Sequence, residues 1–124
     1  MIDFQNVSFV KLKAVNNQSF SAMLTPIFLD DEVIIGSYQG IRDGVVFTSK
    51  RIIAINIQGV TGKKKDFTSL PYSKIQAFSI ETSGTLDFDS ELELYFSGLG
   101  KVKFEFTSNC NITQISKIRG EFVL

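Results

Sequence analysis

The side chains with chemical potential in this chain form two groups of opposite charge. From position 42 to 65 the charged residues are Arg42, Lys50, Arg51, Lys63, Lys64 and Lys65 against a single acid, Asp43; from 81 to 93 they are Glu81, Asp87, Asp89, Glu91 and Glu93 with no base. Lys63, Lys64 and Lys65, with Arg42 and Arg51, make a candidate anion-binding set, because ammonium and guanidinium groups donate to the oxygens of phosphate or carboxylate. A lysine run after a glycine turn is also the ordinary makeup of a solvated loop or a protected sheet edge. Asp87, Asp89, Glu91 and Glu93 stand at alternate positions and suggest a cation, yet a calcium-loop spacing fails. Counting from Asp87, the sixth place is Leu92 where that loop needs glycine, and Gly98 stands where the last carboxylate should be. Alternation along a strand with one wet face already explains such a row of acids, and nothing separates an acid from a base among them.

Catalysis and metal binding find little support. The chain has one cysteine, Cys110, and no histidine, so no internal disulfide can form, no imidazole can activate a nucleophile, and the usual zinc ligand sets are missing. Cys110 reads as a partly buried, inert thiol. No catalytic residue, metal or cofactor is expected. A formal net charge of zero argues against non-specific nucleic-acid binding. No apolar run approaches the roughly 18 residues that span a bilayer, and Met1-Ile2-Asp3-Phe4 does not open a secretory signal, so the cytoplasm is the expected compartment.

The elements that carry these residues are mostly strands. The stretch 91–107 alternates apolar and polar side chains on both sides of Gly98-Leu99-Gly100, which predicts a β-hairpin with Leu92, Leu94, Phe96, Val102, Phe104 and Phe106 turned into the core. Further strands are predicted over 32–41, 44–48, 51–57, 63–70 and 74–81, making seven in all, with Asp43-Gly44, Ser49-Lys50, 59–62, 70–72 and 82–86 as turns. The strand Ile52-Ile53-Ala54-Ile55-Asn56-Ile57 is apolar on both faces, so a helix or another subunit must cover its outer side. Phe20, Met23, Leu24, Ile27 and Phe28 have the spacing of one helical face, which Pro26 should interrupt. Residues 1–17 fit two patterns: Phe4, Val7 and Ala14 suit a helix, and Val10, Leu12 and Ala14 suit a strand. In the tail, Asn111 is an N-cap with Gln114 three residues on, and Ile112, Ile115, Ile118 and Phe122 form an apolar stripe, which predicts a C-terminal helix over 111–124 that plugs one end of a barrel.

The spellings from Gly40-Ile41-Arg42-Asp43-Gly44 through Phe47-Thr48-Ser49-Lys50-Arg51-Ile52-Ile53, then Gly59-Val60-Thr61-Gly62-Lys63-Lys64, Leu70-Pro71-Tyr72-Ser73-Lys74-Ile75 and Glu81-Thr82-Ser83-Gly84, resemble the bacterial pleckstrin-homology family. The resemblance runs from about Asp31 to the C-terminus. It implies a mainly β domain: a seven-stranded, bent antiparallel barrel or sandwich over 31–107, capped by the helix over 111–124, with a short helical segment in an N-terminal extension over 1–30. It also implies a ring-like homo-oligomer. Eukaryotic relatives of the fold bind phosphoinositides through basic residues at the first strand turn; here that turn, Arg42-Asp43-Gly44, is too short and too weakly basic to match.

The expected function is therefore a non-catalytic, self-associating module that recognises a protein or peptide partner. A basic surface at Lys63, Lys64 and Lys65 facing an acidic one at Asp87, Asp89, Glu91 and Glu93 would aid head-to-tail assembly. The alternative is an anion or membrane-headgroup binder built on Lys63, Lys64, Lys65, Arg42 and Arg51.

Overall fold

In a computed structural model, residues 8–41, 43–58, 64–81, 90–98, 100–107, 110 and 117 are described. Eight strands appear among them, β1 (Ser8–Val15), β2 (Ile34–Gln39), β3 (Asp43–Thr48), β4 (Arg51–Gln58), β5 (Lys64–Pro71), β6 (Ile75–Glu81), β7 (Ser90–Phe96) and β8 (Gly100–Phe106), with one α-helix, α1 (Gln18–Leu24). They form a single curled sheet in the order β5-β4-β3-β2-β1-β8-β7-β6. Two antiparallel meanders, β2 to β5 and β6 to β8, are joined by β1, which runs antiparallel to β2 and parallel to β8.

The predicted count of seven strands omits β1, and the reason lies in its bulge. Phe9 pairs with Phe104 and Leu12 with Phe106, so three steps on β1 match two on β8. The extra residue is absorbed at Lys11, whose φ is +54°. Phe9 and Leu12 thus both enter the core at a spacing of three, which reads as helical in a linear sequence, while Val10 and Ala14 face out. Residues 8–15 are thereby the middle of the sheet rather than an extension to it.

The β7–β8 hairpin forms as its alternation predicts. Leu92, Leu94, Phe96, Val102, Phe104 and Phe106 are all buried, and Gly98 and Gly100 take positive φ in the turn. On the inner face, Tyr38 meets Phe106 edge-on at 5.0 Å between centroids, Phe47 meets Phe106 at 6.3 Å, and Phe9 stacks on Phe104 at 5.3 Å. Offset and edge-to-face contacts of this kind add to the apolar burial that closes the half-barrel.

The outer cover demanded by β4 is α1. Phe20 and Leu24 pack on Val46, Ile53 and Ile55, so the strand alternates between the inner core and this second cluster. Pro26 does end the α-helix, although Thr25 stays in the helical region at φ −49° and ψ −43°. The chain tightens into a 3₁₀ turn over Thr25–Ile27 before leaving it. Asp43-Gly44, expected as a turn, instead opens β3, with Gly44 paired to Gln39 and Ile55; the turn precedes it, where the Gly40 N–H donates to the Asp43 carbonyl at 2.9 Å. Gly44 is needed for another reason: a Cβ there would lie 2.6 Å from the Phe20 ring. The turns over 59–62 and 82–86 lie outside the described residues, as does the predicted C-terminal helix except for Lys117, which is helical.

Candidate functional site

Five residues were expected to bind an anion, and the structure gives them different roles. Arg51 is engaged within the chain. Its Nε donates to Oε2 of Glu32 and its Nη2 to Oε1, both at 2.9 Å, while Nη1 reaches Oγ of Ser69 and Nη2 the Ile27 carbonyl, each at 2.8 Å. The Glu32 side chain is 0% exposed, which makes this a buried pair rather than a surface one. Lys64 and Lys65 open β5 and are exposed, opposite Gln58 and Ile57. Arg42 and Lys63 lie outside the described residues.

Glu32 is the residue that sequence reasoning missed. The Thr48 hydroxyl donates to Oε2 at 2.6 Å and accepts the N–H groups of Lys50 and Arg51 at 3.1 Å, satisfying the β3–β4 turn that Ser49-Lys50 predicted. The Leu29 N–H adds a further bond at 3.2 Å. Burial by itself would raise the Glu32 pKa, but the hydrogen bonds from Arg51, Thr48 and Leu29 and the nearby positive charge outweigh it and hold the carboxyl below its ordinary value. The same turn anchors the next corner, since the Tyr72 hydroxyl donates to the Thr48 carbonyl at 2.7 Å. The Glu32–Arg51–Thr48 group is therefore a clamp that fixes β5 and the 3₁₀ corner Tyr72–Lys74 that leads into β6.

On the other meander, Glu91 and Glu93 face outward from β7 and already have cations beside them. Lys103 lies 3.6 Å from Glu91 and 4.0 Å from Glu93, and Lys101 lies 3.8 Å from Glu93. Glu93 also accepts the Tyr95 hydroxyl at 2.6 Å, and that hydrogen bond raises the Tyr95 pKa. Asp87 and Asp89 lie outside the described residues. The acid row that looks uncompensated along the chain is partly neutralised across the ladder, because β8 places Lys103 opposite Glu93 and Lys101 opposite Tyr95, although Glu91 itself faces Glu105. Cys110 is half-buried against the core with its thiol 3.4 Å from the Leu12 carbonyl. Among the described residues no three potential ligands gather to hold a metal ion, and no helix is long and apolar enough to cross a membrane.

The arrangement with most capacity for recognition is the pair of sheet ends. β5 and β6 terminate the strand order, and no described strand pairs with the outer edge of either. Their edges differ in chemistry. β5 carries Lys64 and Lys65 at one end and Pro71 at the other, whereas Gln76-Ala77-Phe78-Ser79-Ile80 of β6 has no charge, proline or glycine. Phe78 and Ile80 are half-buried against the inner core, and Gln76, Ala77 and Ser79 are exposed.

A family model for the bacterial PH domain matches residues 3–123. The uncharacterised Bacillus subtilis (strain 168) protein YjqA is 39% identical over 115 residues, covering 91% of this chain and 88% of that one. The crystal structure of a DUF1696 family protein with a pleckstrin-homology domain from Shewanella loihica PV-4 superposes with a TM-score of 0.80 at 40% identity, covering 93% of this chain and 99% of that one. A pleckstrin-homology domain from Shewanella amazonensis SB2B gives 0.68 at 40% identity, covering 89% and 90%. With nearly the whole chain matched and its two meanders curled in the same way, the protein belongs to the bacterial pleckstrin-homology domain family.

Proposed function

We propose that this chain is a non-catalytic, self-associating module of the cytoplasm that recognises a protein or peptide partner along an open sheet edge. The observation that carries the reading is the uncharged stretch Gln76-Ala77-Phe78-Ser79-Ile80 of β6, whose outer edge no described strand pairs with. An extended segment laid against Gln76-Ala77-Phe78-Ser79-Ile80 would take up its outward backbone donors and acceptors, and Phe78 and Ile80 would offer apolar contact on the inner side. The Glu32–Arg51 clamp supports the reading by holding the corner from which β6 departs.

Self-association rests on the difference between the two edges. A contact between the β5 edge of one copy and the β6 side of the next is heterologous, and such contacts close into rings when the rotation permits. Lys63, Lys64 and Lys65 would approach Asp87, Asp89, Glu91 and Glu93, although the neutralisation of Glu91 and Glu93 by Lys101 and Lys103 leaves more of the affinity to backbone pairing and apolar burial. Light scattering at micromolar concentration tests this part, and a monomer rejects it. Ala77→Lys and Ser79→Lys, which place charge on the exposed side of β6, test the edge: a partner captured equally well by both variants rules the edge out. The alternative anion or headgroup module loses Arg51 to Glu32 and retains Lys63, Lys64, Lys65 and Arg42; absence of binding to anionic liposomes at low salt removes it.

A further inference from the structure

The ladder through β6, β7 and β8 sets three carboxylates in one line. Glu81 stands opposite Glu91, and Glu91 stands opposite Glu105. Like charges directly opposite one another weaken a strand pair, so this row works against the sheet that holds it. Lys103 lies 3.6 Å from Glu91, but among the described residues no cation comes within ion-pair distance of Glu81 or Glu105. On the outward face of the three strands the described charges are Glu81, Glu91, Glu93 and Glu105 against Lys101 and Lys103, so acids outnumber bases.

The row ends where the sheet ends. Glu81 closes β6, the strand whose outer edge no described strand pairs with, and it is exposed. The preceding residues on the same outward face are Ser79 and Ala77, opposite Glu93 and Tyr95. Both are small, so the edge is a low shelf with a carboxylate and an aromatic ring standing behind it on β7. Tyr95 is 38% exposed, and its hydroxyl donates to Glu93 at 2.6 Å, which holds the ring beside Ala77. On the inward face of the same edge, Phe78 and Ile80 are half-buried and leave some apolar surface uncovered.

Resting on the β6 edge as a recognition surface, we propose that its partner is an extended segment in which basic and apolar residues alternate. Added beside β6, such a strand turns one set of side chains outward and the other inward, since successive residues leave a strand on opposite faces. The outward set meets Ala77, Ser79 and Glu81. A basic side chain opposite Glu81 gives the carboxylate row the cation it lacks, and those opposite Ser79 and Ala77 extend over the shelf toward Glu93 and the Tyr95 ring. The added strand would lie two strand spacings, about 10 Å, from β7, a gap that long side chains bridge across small ones. Arginine suits this face better than lysine, because its planar fork matches a carboxylate and stacks on an aromatic ring. The inward set packs on Phe78 and Ile80. An acidic segment would lengthen the row of like charges and is disfavoured.

Calorimetric titration of the full chain with two end-blocked heptapeptides, one alternating arginine and valine and one alternating threonine and valine, tests the partner. Amide hydrogen exchange of β6 tests the place. The arginine peptide is expected to bind about tenfold more tightly than the threonine peptide at low salt, the sum of a few exposed charge contacts. It should lose most of that preference at high salt and should slow exchange over Gln76-Ala77-Phe78-Ser79-Ile80. E81Q/E91Q removes opposed charges and should fold at least as stably as wild type, and in it the preference should fall about threefold or more. Equal affinity for the two peptides, with β6 exchange slowed by both, overturns the basic partner and leaves the edge standing. Binding of the arginine peptide without slowed β6 exchange overturns the proposal and the edge together. A preference unchanged in E81Q/E91Q overturns the proposal by placing the charge contact elsewhere, and absence of binding by either peptide also overturns it. β6 amides that exchange slowly in the free protein and quicken on dilution assign the edge to a second copy of this chain, which overturns it as well.

Discussion

Glu32 and Arg51 meet through two parallel hydrogen bonds of 2.9 Å, with the carboxylate wholly buried and the guanidinium side chain 18% exposed. This pair joins the loop before β2 to the start of β4 and, through Ser69 and Thr48, to β5 and the Tyr72 corner. Its loss should loosen the end of the sheet at which β5 finishes and β6 begins.

Arg51→Ala leaves the Glu32 carboxylate buried without a cation and should lower stability by about 3 kcal/mol or more. Arg51→Lys should recover only part of this, because an ammonium cannot reproduce the two-pronged geometry. Replacing both partners, as Glu32→Leu with Arg51→Met, should be milder than Arg51→Ala alone. Urea denaturation midpoints with unchanged slopes check the series; an Arg51→Ala protein as stable as wild type sinks the clamp.

The Glu32 pair also sets the acid limb of stability. Its folded pKa is depressed, so its contribution is present above the unfolded value and disappears as pH falls through the folded one. The advantage of wild type over Glu32→Gln should be flat at neutral pH and shrink in acid. Thermal melts of the two proteins from neutral to acidic pH read this directly, and a gap that widens in acid contradicts it.

Asp43 has the opposite sign. Burial raises its folded pKa, so its ionisation disfavours folding as pH rises from the unfolded value through the folded one. Asp43→Asn should gain on the order of a few tenths of a kcal/mol at neutral pH, a gain that vanishes in acid. A neutral-pH melt in which the variant is less stable rejects the assignment.

Gly44→Ala should destabilise by about 1–3 kcal/mol, the usual range for overpacking, because its Cβ would press on the Phe20 ring and lift α1 from β3 and β4. Phe20→Leu should be worth less in the Gly44→Ala background than alone. A double-mutant cycle in denaturant gives the coupling, and strict additivity excludes the contact.

Lys11→Val should cost about 1–2 kcal/mol, since a β-branched residue resists the left-handed region, whereas Lys11→Gly should be tolerated at φ +54°. Chemical denaturation of both variants decides it. Equal loss in the two would show that the lysine side chain, not the backbone, matters there.

The parts of the fold legible along the chain were those whose causes lie close together in it. The β7–β8 hairpin needs only period-two alternation and a glycine turn, and the β3–β4 turn needs only Thr48 beside the N–H groups it accepts. The cover over β4 was legible as a requirement, because a strand apolar on both faces cannot stand in water, but its identity as α1 was not. The candidate site was legible only as composition. Arg51 and Lys64 look alike as basic residues, and Glu93 looks unopposed until Lys101 and Lys103 stand across the ladder.

Local chemistry thus settled which segments alternate, which turns close and which side chains want burial, because those preferences act over a few residues. Tertiary packing decided the rest. It inserted β1 between the two meanders by a one-residue bulge, gave Gly44 its purpose under Phe20, and withdrew Arg51 from the surface by burying Glu32 against it. Each of these depends on groups from 19 to 95 positions apart that meet only when the sheet curls, and a linear pattern carries no term for such meetings.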